Sequence, residues 1–123
     1  MIKKEGVVTN YAKGVMAEER ARSYLRESGY KILETRYKTK FGEIDIIAEK
    51  GAVLCFVEVK IRQTLEDALM SVTPRARKRI ELSALHFLSV YPEYVRYDMR
   101  FDVVAITASF DIVHLDNAWE SSS

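Results

Sequence analysis

The sequence predicts an α/β protein in which a mixed β-sheet is flanked by helices. Two long stretches carry apolar residues at helical spacing, and five shorter ones are rich in residues that favour strands. Their order along the chain is α-β-β-β-α-β-β, which is typical of a sheet packed against helices. Because the chain has 123 residues, 48% of them apolar and 30% charged, we expect one domain over residues 1–123.

The first helix is predicted over Asn10–Ser28. Small and apolar residues from Ala17 to Leu25 recur there at helical spacing, and Gly29 is a common helix terminator. Residues 1–9, which precede this helix, are predicted to be a loose lead-in.

Three extended segments follow the first helix. The first runs from Tyr30 to Tyr37, and the next two form a hairpin from Gly42–Ala48 and Val53–Arg62. We place the two-residue hairpin turn at Lys50-Gly51, because glycine favours tight turns. The polar stretch Gln63–Thr73 is predicted to be a loop.

A second helix is predicted to begin with Thr73 as its N-cap and to end before Pro92. Thr is a favoured N-cap, and the proline that follows it is well tolerated in a first helical turn. Two strands come next, at about Arg100–Thr107 and Phe110–Leu115, and residues 116–123 are predicted to be a polar tail.

Three ionisable residues interrupt the apolar hairpin. Asp45 lies within its first strand, and Glu58 and Lys60 lie near the end of its second. Burying such groups among Ile, Val and Phe is unfavourable unless they are paired or bind a metal. Side chains alternate along a strand, so Glu58 and Lys60 share a face. In the register set by a turn at Lys50-Gly51, Asp45 lies opposite Phe56 and diagonal to Glu58.

This arrangement is suited to metal-assisted cleavage of a phosphodiester bond. Asp45, Glu58 and the carbonyl of Val59 could supply the oxygen ligands that Mg²⁺ or Mn²⁺ prefers. Lys60 could orient the attacking water or stabilise negative charge on the phosphate. The plainer interpretation is an ion pair between Glu58 and Lys60 on a solvated strand face. The spacing alone favours that ion pair, whereas the apolar residues on both strands favour the metal site.

Three motifs together resemble a known family. They are Gly-Glu-Ile-Asp-Ile-Ile-Ala at 42–48, Phe-Val-Glu-Val-Lys-Ile-Arg at 56–62 and Arg-Phe-Asp-Val-Val at 100–104. Their order and spacing resemble the YraN-like family of small bacterial proteins, which is assigned to the PD-(D/E)xK nuclease superfamily and is similar to archaeal Holliday-junction resolvases. The resemblance runs from about Lys13 to Ile106 and implies a single nuclease-like domain with the restriction-endonuclease-like fold.

The resemblance also implies catalytic roles for four residues. Asp45, Glu58 and Lys60 match the acid and the E-x-K pair of the superfamily, and Glu18 matches a glutamate that resolvase-like relatives use on their first helix. From the residues alone, a solvated Glu18 paired with Arg22 one helical turn later is the plainer interpretation. The family lysine in the opening turn of the second helix is replaced here by Ala76.

Two groups of basic residues are expected near the site, although the net charge of +1 does not predict DNA binding by bulk electrostatics. One group leads into the hairpin and the other lies at the start of the second helix. A neutral total is compatible with a local basic cleft for nucleic acid. The candidate DNA contacts are Arg36, Lys38, Lys40, Arg75, Arg77, Lys78 and Arg79.

Several other classes of site are disfavoured. The lone Cys55 cannot form an intrachain disulfide, and the two histidines lack the ligand spacing of a zinc site. No apolar run is long enough to cross a bilayer, and no signal-peptide core follows Met1, so we expect a cytoplasmic protein. Arg100 and Asp102 are expected to form a structural ion pair or a contact at the edge of the sheet. The tyrosines near the end of the second helix could stack on bases or cover the core; they are Tyr91, Tyr94 and Tyr97.

Two functions from different classes follow. The first is a hydrolase, a Mg²⁺- or Mn²⁺-dependent endonuclease that acts on DNA, with a four-way junction as the substrate suggested by analogy. A two-fold branched substrate needs two active sites, so this function predicts a homodimer. The alternative is a catalytically weak or inactive nucleic-acid-binding accessory protein of recombination or repair. Intact Asp45, Glu58 and Lys60 favour the enzyme, and the low net charge favours the binding protein.

Overall fold

The structure is a computed structural model that describes residues 9–121. Most of the predicted lead-in, residues 1–8, and the last two residues of the predicted tail lie outside the described residues. The helices are Asn10–Glu27 (α1), Leu65–Ser71 (α2) and Pro74–Val90 (α3). The strands are Lys31–Thr39 (β1), Gly42–Lys50 (β2), Val53–Ile61 (β3), Asp98–Ile106 (β4) and Ile112–Trp119 (β5).

The five strands form one mixed sheet in the order β1-β2-β3-β4-β5. β3 and β4 are parallel, and the other three neighbouring pairs are antiparallel. A parallel pair needs a crossover connection, which α2 and α3 supply here. The predicted mixed sheet flanked by helices is confirmed, and so is the order of its main elements.

The two long helices cover opposite faces of this sheet. Along β3, Leu54 and Phe56 pack into one core cluster, whereas Cys55 and Val57 pack into the other. The first cluster is built with Ile80, Ala84 and Phe87 of α3, and the second with Ala21 and Leu25 of α1. Buried on both faces, β3 is therefore rigid support for the polar residues at its end.

Each helix begins at a threonine whose hydroxyl accepts a backbone N–H of the first turn. The N-caps are Thr9, Thr64 and Thr73, with donor–acceptor distances of 3.0, 3.1 and 3.2 Å. The predicted start of the second long helix is thus confirmed. The predicted loop over Gln63–Thr73 is wrong, because Thr64 caps α2 and two acidic residues favour its first turn.

The hairpin turn lies one residue later than predicted. Lys50 pairs with Val53, so the two turn residues are Gly51 and Ala52, and Gly51 takes the left-handed φ of 61°. The register therefore differs from the predicted one by two residues, and Ile47 lies opposite Phe56. A shift of two residues preserves which face each side chain occupies, whereas a shift of one would reverse it.

The predicted polar tail is wrong over residues 116–119, because β5 continues to Trp119. The Trp119 ring is buried and stacks on Phe101 at a centroid distance of 5.2 Å, and its indole N–H donates to Glu81 at 3.0 Å. Asn117 takes a positive φ of 51° where the pairing with β4 is irregular. This irregularity allows β5 to continue through the polar residues at which the strand was predicted to end.

Candidate active site

Asp45 and Glu58 meet where β2 and β3 separate. The last paired residues of the two strands are Ile46 and Val57, and Asp45 and Glu58 are the next residues along each strand. At this point, where the regular pairing has ended, each carboxylate accepts a hydrogen bond from a backbone N–H of the other strand. Asp45 Oδ2 accepts the Val59 N–H at 2.8 Å, and the Glu58 carboxylate accepts the N–H of Asp45. The predicted position of Asp45 opposite Phe56 is wrong, because Phe56 pairs with Ile47, but the two carboxylates do line one cleft, and they brace its strands.

The backbone beside Asp45 departs from simple alternation. Ile44 packs in the cluster of α3 and Ile46 in the cluster of α1, although residues two apart on a strand normally share a face. Across β1, Arg36 takes a φ of 50°, which is uncommon for a residue other than glycine. Such irregularities re-aim side chains and are frequent next to active sites.

Glu18 lies on α1 and lines the same cleft as Asp45, Glu58 and Lys60. Its Oε1 atom forms an ion pair with Arg36 Nε at 2.9 Å. This pair connects α1 to β1 across the sequence and holds the glutamate at the cleft wall. Arg36, which was predicted to contact DNA, therefore contributes first to the charge balance of the site.

The cleft that these residues form has a volume of about 290 Å³. Val59, Lys60 and Ile61 of β3 line its floor beside Glu58. Two residues that sequence reasoning did not assign, Asn10 and Arg62, also line it. Arg62 could have been found, because it lies two residues beyond Lys60 and four beyond Glu58.

Asp45 and Glu58 hold protons more tightly than ordinary carboxylates, because their pKa values are raised. Burial raises the pKa of Asp45 to about 6, against the opposing effect of the Val59 N–H. Burial and the neighbouring Asp45 raise the pKa of Glu58 to about 8, although Lys60 lowers both. Glu58 Oε2 is buried, and no hydrogen-bond partner for it exists among residues 9–121. When both carboxylates are ionised, the site therefore holds more negative charge than the described residues offset.

The oxygen atoms of this site fit a hard divalent cation. Across residues 9–121, no three His, Cys, Asp or Glu side chains are grouped to hold an ion, so the site offers two carboxylates and the backbone of Val59. Mg²⁺ prefers oxygen ligands, commonly binds through one or two carboxylates, and keeps several waters. The unpartnered Glu58 Oε2 is an available ligand atom of that kind.

The basic group at the start of α3 divides into structural and exposed members. Arg77 Nε donates to the Val72 carbonyl at 3.0 Å, and its guanidinium lies 5.5 Å from the Trp119 ring centroid. Arg77 is therefore bound into the fold. The other three candidate contacts in this group are exposed; they are Arg75, Lys78 and Arg79.

Three of the exposed basic residues, Arg79, Lys38 and Lys40, lie near the start of β2. A Cβ added at Gly42 would lie 3.6 Å from Arg79 Cβ, which places the start of α3 over the start of β2. Lys38 of β1 and Lys40 of the β1–β2 turn are also exposed. Lys40 Nζ lies 5.2 Å from the Phe41 ring centroid.

A second buried charged group lies on β4 and β5. Asp102 is fully buried and accepts hydrogen bonds from Arg100 Nε and Nη2, both at 2.9 Å, and from His114 Nε2 at 2.8 Å. The backbone N–H of Asn117 adds a fourth at 3.0 Å. Burial raises the pKa of Asp102, but these hydrogen bonds outweigh it and hold that pKa below its ordinary value. The expected ion pair between Arg100 and Asp102 is confirmed.

This network also anchors α1. His114 Nδ1 lies 3.0 Å from the hydroxyl of Tyr24, and Arg100 Nη2 donates to the hydroxyl of Tyr30 at 2.6 Å. Asp102 thus fixes, through His114, the helix that carries Glu18. No pattern in the sequence indicates these partners, because they are distant in sequence and have no motif spacing.

The tyrosines that could have stacked on bases cover the core instead. Tyr91, Tyr94 and Tyr97 all pack against the cluster of α3. The rings of Tyr91 and Phe87 have centroids 4.7 Å apart, and those of Tyr94 and Tyr97 are 4.9 Å apart. The structural interpretation of these residues is confirmed.

Fold and site together define a small α/β protein whose mixed sheet carries a cleft with two interacting carboxylates. The chain belongs to the uncharacterised protein family UPF0102, whose family model matches residues 17–106. The resemblance to the YraN-like family is thereby confirmed. In residues 9–121 no helix is both long enough and apolar enough to cross a membrane.

Other members of the family are similar over nearly the whole chain. A UPF0102 protein of Bradyrhizobium diazoefficiens is 40% identical over 116 residues, which cover 94% of this chain and 87% of that protein. One from Rhodopseudomonas palustris strain HaA2 is 41% identical over 115 residues, covering 94% and 90%. One from Nitrobacter winogradskyi is 40% identical over 116 residues, covering 94% and 98%.

Among solved structures, SfsA of Pyrococcus furiosus in complex with Ca²⁺ is similar at 12% sequence identity and a TM-score of 0.33. The alignment covers 81% of this chain and 62% of that chain. A likeness this small carries no argument about the function of this chain.

Proposed function

We propose that this protein is a metal-dependent endonuclease that hydrolyses phosphodiester bonds of DNA in the cytoplasm. The observation that supports this most strongly is the pair Asp45 and Glu58, held together by mutual backbone contacts with one buried oxygen unpartnered among the described residues. Such a pair is destabilising by itself and becomes favourable when a cation binds. Phosphodiester cleavage is the chemistry that the resemblance to the nuclease superfamily implies.

Asp45, Glu58 and the Val59 carbonyl would hold Mg²⁺ or Mn²⁺ in this function. The ion would supply positive charge beside the scissile phosphate and lower the pKa of the attacking water. Lys60 lines the cleft next to both carboxylates and would stabilise charge that develops on the phosphate. Glu18, held by Arg36, would orient the water from the opposite wall.

The proposed substrate is branched DNA, such as a four-way junction, by analogy with the resolvases. Such a substrate has two equivalent strands to cut, so the proposal includes a homodimer with two clefts. The exposed basic residues Arg75, Lys78, Arg79, Lys38 and Lys40 would contact the phosphate backbone on either side.

The test is a cleavage panel. Labelled linear, nicked, flapped and four-way DNAs are incubated with the protein in Mg²⁺, Mn²⁺ or EDTA. We expect cleavage of at least one structured DNA with either metal and none with EDTA. Asp45→Asn, purified in parallel, is the control for a contaminating nuclease. Cleavage that persists in this variant or in EDTA would contradict the proposal.

A catalytically inactive nucleic-acid-binding protein is the second candidate. The observation that favours it is the small number of free ligands, since Glu18 is paired with Arg36 and two carboxylates remain. This candidate predicts that structured DNA is bound in EDTA and in metal alike and is recovered intact. Intact Asp45, Glu58 and Lys60 in one cleft favour the enzyme.

A further inference from the structure

An apolar cavity adjoins the cleft that holds Asp45 and Glu58. Its volume is about 300 Å³, and α1, the end of β3 and the β4–β5 hairpin line it. Ala17 and Ile61 belong to both the cavity and the cleft, so the two are neighbouring parts of one surface. The cavity is at the small end of the range for ligand sites, a size that suits one ring system.

Phe110 marks the mouth of this cavity. Its side chain is 69% exposed, and its φ of 64° lies in the left-handed region, where a bulky residue is a genuine outlier. Two hydrogen bonds hold the backbone there: Arg20 Nη2 donates to the Phe110 carbonyl at 2.9 Å, and the Phe110 N–H donates to the Thr107 carbonyl at 2.9 Å. Strain that the surroundings maintain is frequent at binding sites.

The rim of the cavity is cationic. Lys13 and Arg20 line it together with Met16, whose side chain is 56% exposed. The adjoining cleft is acidic, and Ala17 and Ile61 lie between it and the cationic rim. A flat apolar ring attached to a phosphate is complementary to an apolar cavity with a cationic rim.

We propose that this cavity binds one unpaired nucleobase of the DNA strand, next to the phosphate in the cleft. The base stacks on Phe110 and contacts Met16, and its own phosphate lies near Lys13 and Arg20. The inference rests on the proposed action on DNA and adds a requirement for an unstacked base at the site. Every base has a π-face, so stacking on Phe110 binds all four bases similarly.

The test compares binding to DNAs that differ at a single unpaired position. Each DNA carries there adenine, the fluorescent analogue 2-aminopurine or an abasic sugar, and binding is measured in EDTA so that the strand stays uncut. For the wild type we expect affinity about tenfold higher with a base than with the abasic sugar, together with a change in 2-aminopurine fluorescence. Phe110→Ala should lose this preference, and Phe110→Trp should retain it.

Val95→Ala is the matched control, because Val95 is similarly exposed, at 63%, and lies outside both cavities. Circular dichroism establishes that each variant is folded. Equal affinity of the wild type for base and abasic DNA would overturn the inference. The inference would also be overturned if Phe110→Ala lowered the affinity for base-containing and abasic DNA alike. The same holds if Phe110→Ala converted a dimer to a monomer without changing the preference for a base.

These outcomes are distinct from failure of the proposed function. If the wild type neither binds nor cuts any DNA, the endonuclease proposal fails and this inference fails with it. If Asp45→Asn abolishes cleavage while Phe110→Ala keeps the full preference for a base, the inference about the cavity alone is wrong.

Discussion

Asp102 and the pair Asp45 and Glu58 lie in one sheet, but their carboxylates are compensated very differently. Asp102 is completely buried and accepts four hydrogen bonds, two of them from the Arg100 guanidinium. Its pKa is held below the ordinary value in spite of burial. This carboxylate is satisfied by residues of its own fold.

Asp45 and Glu58 lack that degree of compensation. Each accepts one backbone N–H of the neighbouring strand, and their pKa values are raised to about 6 and about 8. One oxygen of Glu58 is buried without a partner in the described part of the chain. Burial by itself therefore does not single out a functional carboxylate. The incomplete compensation of Asp45 and Glu58 is what supports the proposed metal site, because a bound cation would complete it.

The largest expected effect is on cleavage. Asp45→Asn and Glu58→Gln keep the shape of the cleft but remove the charge that binds the metal, so each should lower the cleavage rate by about 1000-fold. Asp102→Asn should change the rate by less than about tenfold, since Asp102 touches the cleft only through α1. Initial rates on the preferred DNA in Mg²⁺ provide the measurement, below the melting temperature of every variant. If Asp102→Asn lowered the cleavage rate as much as Asp45→Asn and Glu58→Gln, the distinction between Asp102 and the pair in the cleft would be wrong.

The next effect is on stability. Asp102→Asn leaves Arg100 and His114 without the carboxylate they share, and we expect it to lower the free energy of unfolding by about 3 kcal/mol. Urea titration at pH 7 measures this. Glu66→Gln, a change in the exposed first turn of α2, is the control and should alter stability by less than about 0.5 kcal/mol. If Asp102→Asn lowered the free energy of unfolding as little as Glu66→Gln does, the hydrogen bonds of Asp102 would contribute little to stability.

The two groups should also respond oppositely to pH. The folded metal-free protein keeps a proton on Glu58 up to about pH 8, whereas the ordinary pKa is 4.5. Its unfolded chain therefore binds fewer protons between these values, and the stability contributed by Glu58 falls as pH rises. Asp102 has a lowered pKa, so its contribution is present at neutral pH and is lost as pH falls through that value.

Urea titrations of the metal-free protein from pH 3 to pH 9 separate these contributions. Glu58→Gln should be more stable than the wild type by about 2 kcal/mol at pH 9 and nearly equal to it at pH 4. Saturating Mg²⁺ should remove the advantage at high pH, because the ion stabilises the ionised wild type. A Glu58→Gln variant that is less stable at pH 9 would contradict the idea of an uncompensated charge.

The smallest effect concerns the basic residues of α3 and the salt dependence of DNA binding. Arg75 and Lys78 are exposed, whereas Arg77 is held by Val72 and Trp119. Replacing Arg75 and Lys78 by Gln should lower the slope of log affinity against log salt by about one per lost phosphate contact. Arg77→Gln should leave the slope unchanged and cost about 1 kcal/mol of stability. An unchanged slope in the double variant would place the DNA nearer to Lys38 and Lys40.

Much of the fold could be predicted because its determinants are local. Helical spacing, threonine caps and glycine or proline at the ends identified α1 and α3 within a few residues. The pair Asp45 and Glu58 was found because charged residues in an apolar hairpin are conspicuous. The predicted register was wrong by two residues, but both side chains line the cleft that opens where the regular pairing of the two strands ends.

The missed features depend on contacts between distant parts of the chain. The end of β5 is fixed by Trp119 against Phe101 and Glu81, which no local pattern reveals. The left-handed conformation of Arg36 and its pairing with Glu18 also arise from tertiary packing. Phe110 lies beside the cleft for the same reason, because it is 50 residues from Lys60 in sequence but its hairpin packs next to the end of β3.

A crystal structure with Mn²⁺ and a short DNA would show whether Asp45 and Glu58 bind a metal ion. Anomalous scattering locates Mn²⁺ without ambiguity, and the DNA supplies the phosphate oxygens that complete its coordination. We predict an anomalous peak about 2.1 Å from one carboxylate oxygen each of Asp45 and Glu58, and no peak at Asp102. A DNA-bound structure in which Mn²⁺ lies elsewhere, with the two carboxylates still bound only to backbone N–H groups, would contradict it.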